Sequence, residues 1–201
     1  MSADSKSVVV LPVGGANFAS LAHAFRRLGV DVAFSDDPLR IAEASHVVLP
    51  GVGAARPAMA ALRERGLDRT LMQLTQPLLG ICLGMQLLFE HSDEGGGTPT
   101  LGLLPGRVER LPPSPTWPHM GWNTISPTAP SVALLDGISG NDWFYFVHGY
   151  AAPIDSYTTA SGEFGRPFSA SVSSGNVHGV QFHPEKSCVA GRAVLANFLA
   201  S

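Results

Sequence analysis

The chain has 201 residues, of which 45% are hydrophobic and only 14% are charged. Because typical globular domains are about 25% charged, part of this surface is expected to lie against a partner. The net charge of −3 comes without a run of lysines or arginines, which argues against nucleic acid or an anionic membrane as a ligand. No apolar run approaches the roughly 20 residues that span a bilayer, and the N-terminus lacks the pattern of a signal peptide. We therefore expect a cytoplasmic protein that binds small molecules or proteins.

In chain order, the first half alternates apolar runs with segments of helical spacing. Residues 7–13 predict a strand, residues 16–29 a helix that ends at a glycine, and residues 30–35 a second strand. The pattern then repeats, with strands predicted in ASHVVLPGVGA and PLLGI and helices in RPAMAALRERG and LGMQLLFEH. Such alternation is typical of βαβ units and predicts a parallel sheet.

The second half contains short β-branched or aromatic runs separated by turns, with almost no helical pattern before the last residues. These runs predict an added mixed or antiparallel section of sheet, and SCVAGRAVLANFLA predicts a closing helix. No linker or internal repeat divides the chain. We therefore predict an α/β fold with a mixed central sheet, formed by a single domain over residues 7–201 after a flexible N-terminus at residues 1–6.

One of the two cysteines, Cys82, lies where a nucleophile is expected. In GICLG, residues 80–84, an apolar strand turns at once into a helix, with glycines on both sides of the cysteine. This is the arrangement of a nucleophile elbow, in which flanking glycines avoid collisions at a sharp bend. Amides at the start of the helix stabilise negative charge on the sulfur and can hold an oxyanion, and Gln86 lies one turn further on. The alternative is a core cysteine beside glycines that pack a helix.

The segment GVQFHPEKS supplies the groups that a thiolate nucleophile needs. In an extended segment His183 and Glu185 point to the same side, so the carboxylate can orient the imidazole while the other ring nitrogen faces the sulfur. His183 is then the base and Glu185 its orienting partner. An isolated His-x-Glu pattern is more typical of a surface loop, and the prediction depends on its combination with Cys82.

Two further histidines and one loop are candidate parts of a pocket. His119 in PHMGWN and His148 in FYFVHGY lie among aromatic residues and glycines, a composition that fits a packed sheet edge and a pocket wall equally well. The loop LPGVGA follows a strand and precedes a helix, and Gly51 and Gly53 would allow its amides to face an oxyanion; a plain turn is the alternative. Neither the histidines nor the cysteines, which are expected to be free thiols, show the spacing of a metal site.

Together these segments resemble the class I (triad) glutamine amidotransferases, whose signatures are G-x-C-x-G-x-Q at the nucleophile and H-P-E near the C-terminus. The resemblance extends from Val8 to the final helix and implies a three-layer, flavodoxin-like domain. Within the class, the similarity is to the glutaminase subunits of the imidazole glycerol phosphate synthases of histidine biosynthesis. It is carried by LPGVGAARPAM, GICLGMQLLFEHSDE, PHMGWN, YFVHGY and GVQFHPEKS.

The resemblance implies a role for each matched residue. Cys82 would be the nucleophile, His183 the general base and later acid, and Glu185 its orienting partner. The oxyanion hole would be formed by the amide of Leu83 and by that of Val52 or Gly53. The matched positions that would contact the glutamine substrate are Gly51, Gln86, Glu94, His148, Gly149 and Tyr150.

The resemblance further implies hydrolysis of glutamine to glutamate and ammonia through a thioester, without a cofactor or a metal. The ammonia would pass to a (βα)8-barrel cyclase subunit, the expected partner in a heterodimer. Two alternatives are a glutaminase of another pathway, such as vitamin B6 or anthranilate synthesis, and a non-catalytic binding subunit with the same fold. PHMGWN argues against the first, and the intact triad argues against the second.

The sequence departs from the family pattern at two places. Gly149 stands where a serine is common, and VGGAN at residues 13–17 replaces the usual YGxGN. We expect the first departure to change the affinity for glutamine and the second to change the interface or the signal path toward the cyclase. Neither touches the predicted triad.

Overall fold

The computed structural model describes residues 6–13, 15, 17–113, 116–128 and 132–201. Its helices are α1 (Phe18–Arg26), α2 (Pro38–Glu43), α3 (Ala55–Glu64), α4 (Leu67–Met72), α5 (Leu83–Leu87) and α6 (Cys188–Ala200). Its strands are β1 (Val8–Val10), β2 (Val32–Phe34), β3 (His46–Gly51), β4 (Leu78–Cys82), β5 (His91–Ser92), β6 (Thr98–Pro99), β7 (Arg107–Arg110), β8 (His119–Thr124), β9 (Ser126–Pro127), β10 (Trp143–His148), β11 (Tyr150–Ala151), β12 (Thr158–Glu163), β13 (Pro167–Ser174) and β14 (Val177–Val180). Most of the predicted flexible N-terminus, residues 1–5, lies outside the described residues, as do Gly14 and Ala16 of the VGGAN segment.

A mixed eight-stranded sheet, in the order β2-β1-β3-β4-β14-β13-β12-β9, forms the middle of the fold. The strands from β2 to β14 run parallel, and β13, β12 and β9 add antiparallel pairs at one side. The predicted α/β fold, with a mixed central sheet and added antiparallel strands in the second half, is therefore confirmed.

Helices cover both faces of this sheet and give the fold three layers. Val8 and Val10 pack in one core cluster with residues of α1 and α6, whereas Val9 and Leu11 belong to a second cluster with residues of α3, α4 and α5. The first strand is therefore buried on both faces, which explains its uninterrupted apolar sequence.

The helix predicted over LGMQLLFEH is shorter than expected, because α5 ends at Leu87 and His91–Ser92 forms β5. The carbonyls of residues 87–89 accept hydrogen bonds from the amides of Leu101, Leu104 and Gly102 instead of continuing the helix. This competition comes from a distant segment, so the local periodicity could not predict it. The sequence pattern also missed α2 and α4, although Asp37 followed by Pro38 is a helix-start signal and Asp37 accepts from the amide of Leu39.

β8 and β10 form a separate antiparallel ribbon in which His119 pairs with His148 and Met120 with Val147. The ribbon ends beside the carboxyl end of β4, since the sulfur of Cys82 lies 3.8 Å from the carbonyl oxygen of Val147. β11 follows at once and pairs with β7 in a four-stranded sheet, in the order β11-β7-β5-β6. Segments from both halves of the chain therefore meet at Cys82. Within the described residues, none of the helices is long and apolar enough to cross a membrane.

Candidate active site

Cys82 occupies a sharp bend between strand and helix. It is the last residue of β4, has φ 55° and ψ −111°, and is followed directly by α5. Such a positive φ is rare outside glycine. A Cβ at Gly84 would overlap the carbonyl oxygen of Leu49, and a Cβ at Gly80 would lie 2.8 Å from the backbone of Gly84. The glycines therefore allow α5 to approach β3 and β4, and this close packing holds the cysteine in its strained conformation.

His183 and Glu185 form a buried pair, with 2.8 Å between Nδ1 of the imidazole and a carboxylate oxygen, and with side chains only 4% and 6% exposed. Glu185 lies in a 3₁₀ turn (Pro184–Lys186), so the predicted extended backbone is wrong although the predicted side-chain contact is present. The turn forms because the amide of Lys186 and the hydroxyl of Ser187 both donate to the carbonyl of His183.

The second ring nitrogen of His183, Nε2, is buried and has no hydrogen-bond partner within the part of the chain that the structure describes. Burial lowers the pKa of His183, but the neighbouring side chains of Cys82 and Glu185 raise this pKa by more, so that it lies above the ordinary histidine value. The imidazole therefore has a stabilised charged form and an uncommitted nitrogen beside the thiol.

The sulfur of Cys82 has a second polar neighbour that the sequence analysis did not single out. The side-chain nitrogen of Gln181 lies 3.8 Å from Sγ, and Gln181 is completely buried. Gln181 precedes His183 by two residues in GVQFHPE, and residues two apart on an extended chain share a side. That spacing was the available signal, since both residues contact or flank the same cysteine.

A pocket of about 240 Å³ opens beside Cys82. This is a size suited to a small metabolite, since sites for drug-sized ligands measure roughly 300–1,000 Å³. Its lining brings together nine of the predicted site residues and Val147: Val52, Gly53, Cys82, Leu83, Gln86, Glu94, His148, Gly149 and Tyr150. Gly51, His183 and Glu185 instead line a smaller recess next to it, together with Asn17 and Lys186. Gly51 is thus a strand residue paired with Cys82, and it packs under Leu83 without lining the pocket.

Three of the predicted substrate contacts also make bonds within the protein. Glu94 accepts a 2.8 Å hydrogen bond from the amide of Ala55. The amide nitrogen of Gln86 lies 2.9 Å from the carbonyl oxygen of Tyr150, and Nδ1 of His148 lies 2.8 Å from the same oxygen. These bonds fix the side chains that line the pocket before any ligand enters.

The two histidines with open alternatives, His119 and His148, lie against each other with 2.9 Å between Nδ1 and Nε2. His148 lines the pocket, whereas His119 is packed behind it, stacked between Phe146 and Phe164 at ring distances of 4.8 and 4.4 Å. Burial lowers the pKa of His119 to about 4 and that of His148 to about 3, so both rings are neutral at physiological pH.

Gly149 contacts a tryptophan that fills the space of a missing side chain. A Cβ at Gly149 would lie 2.7 Å from the indole of Trp117, and the guanidinium of Arg110 lies 4.5 Å from the centre of that ring. The glycine that replaces the common serine at position 149 thus leaves room for the indole of Trp117, and the motif YFVHGY alone does not show this contact.

Among the residues that the structure describes, no group of three or more His, Cys, Asp or Glu side chains is arranged to hold a metal ion. The site instead contains a cysteine at a strand–helix bend, a histidine–carboxylate pair beside it and a small cavity with polar walls. These are the parts of a cysteine hydrolase or acyl-transfer site.

Comparison with known proteins identifies the family of the chain. The family model described as glutamine amidotransferase class-I matches residues 9–201. The chain therefore belongs to the class I glutamine amidotransferase family.

Within that family the chain is similar over its whole length to the imidazole glycerol phosphate synthase subunit HisH, which confirms the resemblance found in the sequence. The HisH subunit of Shewanella sediminis is 46% identical over 100% of this chain and 93% of its own. The HisH subunit of Xylella fastidiosa is 48% identical over 96% of both chains. HisH 2 of Legionella pneumophila (strain Philadelphia 1) is 48% identical over 96% of this chain and 97% of its own.

Solved structures share the fold at lower sequence identity. A crystal structure of a glutamine amidotransferase superposes with a TM-score of 0.74 at 20% identity, covering 96% of this chain and 97% of that one. A glutamine amidotransferase from Thermotoga maritima gives a TM-score of 0.69 at 16% identity, covering 99% of this chain and 100% of that one. These two similarities concern the fold only.

Proposed function

We propose that the chain is the glutaminase subunit of an imidazole glycerol phosphate synthase. It hydrolyses glutamine to glutamate and ammonia and passes the ammonia to a (βα)8-barrel cyclase subunit in the cytoplasm. The observation that carries the proposal is the position of Cys82, which lies at a strained bend next to the His183–Glu185 pair and at the edge of the 240 Å³ pocket. The similarity to HisH subunits indicates which synthase is meant, and the geometry of the site supports the hydrolysis of an amide by a cysteine.

In the first half of the reaction, the sulfur of Cys82 attacks the side-chain carbonyl carbon of glutamine. His183, oriented by Glu185, takes up the thiol proton and delivers it to the amide nitrogen, so that ammonia leaves and a thioester remains. The developing oxyanion is held by the amide of Leu83 at the start of α5 and by an amide of the Val52–Gly53 segment. Backbone donors of this kind stabilise the transition state when they point at the oxyanion, and we expect the amide of the Val52–Gly53 segment to be turned inward when the cyclase binds its ligand.

In the second half, water attacks the thioester carbon while His183 accepts one of its protons, and the C–S bond breaks to release glutamate. Sulfur regains its proton, so one glutamine and one water give one glutamate and one ammonia. Gln86, Glu94, His148, Gly149 and Tyr150 form the walls against which glutamine lies. Neither step draws on a metal or a cofactor.

Exposed apolar side chains on the outer face of the β8–β10 ribbon are evidence in favour of a protein partner. Met120, Trp122 and Trp143 are 64%, 48% and 56% exposed, which is unusual for such large apolar side chains placed close together. On β8 the outward Met120 and Trp122 alternate with the inward His119, and Val147, the register partner of Met120, lines the pocket. A cyclase that docks on this ribbon would lie next to the glutaminase site.

The proposal is tested by measuring glutamate release from glutamine by the wild type and by Cys82→Ala, each alone and together with the cyclase and its nucleotide substrate. We expect release that is strongly stimulated by the liganded cyclase and abolished in Cys82→Ala. Cys188→Ala is the matched control, because it removes the other free thiol, which is exposed, and it should keep its activity. Glutamate release by Cys82→Ala would contradict the proposed nucleophile.

The two alternatives have their own readouts. If a synthase subunit of another pathway co-purifies and stimulates release while the cyclase does not, the pathway is different. If a glutamine-analogue electrophile fails to label Cys82 in a verified complex with the cyclase, the chain is a binding subunit without turnover.

A further inference from the structure

The carbonyl oxygen of Tyr150 fixes the orientation of two side chains in the pocket wall. It lies 2.9 Å from Nε2 of Gln86 and 2.8 Å from Nδ1 of His148. A carbonyl oxygen only accepts hydrogen bonds, so both nitrogens must carry the hydrogen. The amide of Gln86 and the tautomer of His148 are therefore determined by the backbone.

From Gln86 the chain of hydrogen bonds continues to the nucleophile. The amide nitrogen of Gln86 also lies 3.1 Å from Oε1 of Gln181, which accepts its second hydrogen. Since the oxygen of Gln181 is engaged, its amide nitrogen is the atom that faces Sγ of Cys82 at 3.8 Å. Gln181 is completely buried and Gln86 is 5% exposed, so bulk water does not compete for these bonds.

From His148 the same chain continues away from the sulfur. Because His148 is neutral and Nδ1 carries its hydrogen, Nε2 accepts from Nδ1 of His119 at 2.9 Å. Nε2 of His119 then accepts from the amide nitrogen of Asn123 at 3.3 Å. That nitrogen also donates to the carbonyl oxygen of Glu163 at 3.0 Å, so a second backbone carbonyl fixes this end. Each of these hydrogen bonds therefore joins one donor to one acceptor, with a single consistent choice of amide orientations and histidine tautomers.

We propose that Gln181 is a further residue of the catalytic site, whose amide N–H stabilises the thiolate of Cys82 and is held toward the sulfur by the hydrogen bonds that run from the carbonyl of Tyr150 through Gln86. Its importance for glutamine hydrolysis rests on the proposed function. The orientation follows from the backbone carbonyl of Tyr150, which requires a donor from Gln86 and so leaves the oxygen of Gln181 to accept the second hydrogen of Gln86. A donor aimed at sulfur favours the charged nucleophile, whereas an amide oxygen there would oppose it.

The effect of the Gln181 N–H on the thiolate can be measured separately from the effects of the titratable groups around the sulfur. His183 flanks Cys82 from the loop after β14, with Glu185 behind it, and Glu94 lines the far side of the pocket. His148 reaches the pocket from β10 and stays neutral, since burial lowers its pKa to about 3. A substitution of Gln181 leaves all of these titratable groups in place and removes two uncharged contacts, the donor to the sulfur and the acceptor of Gln86.

The test is the pH dependence of the alkylation of Cys82 by iodoacetamide in Gln181→Met, a change that keeps the length of the side chain and removes its hydrogen bonds. Peptide mass spectrometry separates Cys82 from the exposed Cys188. We expect alkylation of Cys82 near neutral pH to be about tenfold slower than in the wild type, with the pH midpoint moved upward. The matched control is Gln76→Met, because the amide of Gln76 also donates to two carbonyls, those of Ile41 and Ala42, just before the start of β4.

A folded Gln181→Met protein that is alkylated like the wild type would overturn the proposal. If the variant does not fold, the unmodified chain decides the question by NMR. The side-chain amide signal of Gln181 should shift as Cys82 ionises and should lose that shift in Cys82→Ala, whereas a signal that is unaffected by the cysteine would overturn the proposal. Neither readout uses glutamine, so a chain that behaves as expected here but releases no glutamate would contradict only the proposed function.

Discussion

The carboxylate of Glu94 accepts a 2.8 Å hydrogen bond from the backbone amide of Ala55, 39 residues earlier in the chain. Ala55 is the first residue of α3, and Ala54 before it provides no side-chain cap. Glu94 therefore supplies from a distant loop both the acceptor and the negative charge that a helix N-terminus favours. Since α3 follows directly on the Gly51–Gly53 segment, this bond also positions the predicted oxyanion loop.

Two substitutions of Glu94 separate its capping role from its charge. In Glu94→Ala the amide of Ala55 loses its acceptor, and we expect the free energy of unfolding to fall by roughly 0.5–2 kcal/mol, the usual cost of a lost cap. Glu94→Gln keeps an oxygen acceptor but removes the charge, so it should lose only the roughly 0.3–1 kcal/mol that a negative charge at a helix N-terminus contributes. Its KM for glutamine should rise, because that charge would attract the α-ammonium of the substrate. Chemical denaturation and steady-state glutaminase kinetics of the complex with the cyclase measure the two effects.

Glu90→Ala is the control for this pair, because Glu90 likewise accepts from a backbone amide, that of Gly106, outside the pocket. It should leave KM unchanged. An unchanged KM in Glu94→Gln would show that the charge of Glu94 does not contact the substrate.

The strand–bend–helix at Cys82 could be predicted from GICLG because the segment itself contains the signal. Glycines on both sides of the cysteine mark the close approach of a helix, although one of the groups that Gly84 clears, the carbonyl of Leu49, lies on another strand. The end of α5 at Leu87 could not be predicted in this way, since it depends on amides of residues 101–104 that replace the helical hydrogen bonds. Local patterns therefore place the bend at Cys82 correctly but not the length of the element that follows it.

The contact of His183 with Glu185 was predicted on an incorrect backbone, because a 3₁₀ turn and an extended strand can both bring residues two apart together. Gln181 and Trp117 were missed for a different reason. Their importance depends on the neighbours that the fold gives them, the sulfur of Cys82 and the bare Cα of Gly149. The segment of Gln181 contains one signal, its two-residue spacing from His183, whereas the segment of Trp117 contains none.

Arg56 is expected to affect glutamine binding through the loop that carries Glu94. Its guanidinium donates to the carbonyls of Gly95 and Gly97 at 2.7 and 3.3 Å. Gly95, Gly96 and Gly97 all have positive φ, at 61°, 85° and 98°, so this loop has little conformational preference of its own. We expect Arg56→Ala to raise KM for glutamine several-fold with a smaller change in kcat, and Arg56→Lys to restore part of the affinity through the N–H donors of its ammonium group.

Arg63 provides the matched control on the same helix, since its guanidinium donates to the carbonyl of Pro99 at 2.8 Å but lies away from the loop that follows β3. Arg63→Ala should have the KM of the wild type. Equal changes of KM in Arg56→Ala and Arg63→Ala would mean that α3 is sensitive to any loss of charge, and that Arg56 has no special role.

Restoring the common serine at position 149 is expected to fail unless Trp117 is also changed. The backbone at Gly149 allows a side chain, and the obstacle is the indole of Trp117 at 2.7 Å from the new Cβ. Gly149→Ser alone should therefore lower the free energy of unfolding by about 1–3 kcal/mol, as overpacking does, and raise KM by displacing the 147–150 strip. Trp117→Leu combined with Gly149→Ser should recover most of both losses.

A double-mutant cycle of these two changes, followed by chemical denaturation, measures their coupling. Additive effects of Gly149→Ser and Trp117→Leu would contradict the steric explanation. Gly140→Ser is a control with the same chemical change, because the nearest atom to a Cβ at Gly140 is the carbonyl oxygen of Ile125 at 3.8 Å, an ordinary contact.

The buried pair of His119 and His148 is expected to make the protein labile to acid. Burial lowers the pKa of His119 to about 4 and that of His148 to about 3, while both residues titrate near 6.5 in an unfolded chain. Below about pH 6.5 the unfolded chain therefore binds protons that the folded protein does not. The stability from these two neutral rings is fully present above that pH and is lost as the pH falls toward 3.

His119→Phe tests this dependence, because a phenyl ring fills the space between Phe146 and Phe164 without a group that titrates. At pH 7 the variant should be less stable than the wild type, since Nε2 of His148 loses its donor. As the pH falls from 6.5 to 4, however, its free energy of unfolding should decrease less steeply than that of the wild type. The two slopes should differ by up to about 1.4 kcal/mol per pH unit, because the variant lacks one group that binds a proton on unfolding. The exposed His23, replaced by Gln, is the control and should leave the slope unchanged. Denaturation curves at several pH values decide the matter, and parallel dependences for His119→Phe and the wild type would show that His119 is not kept neutral by the fold.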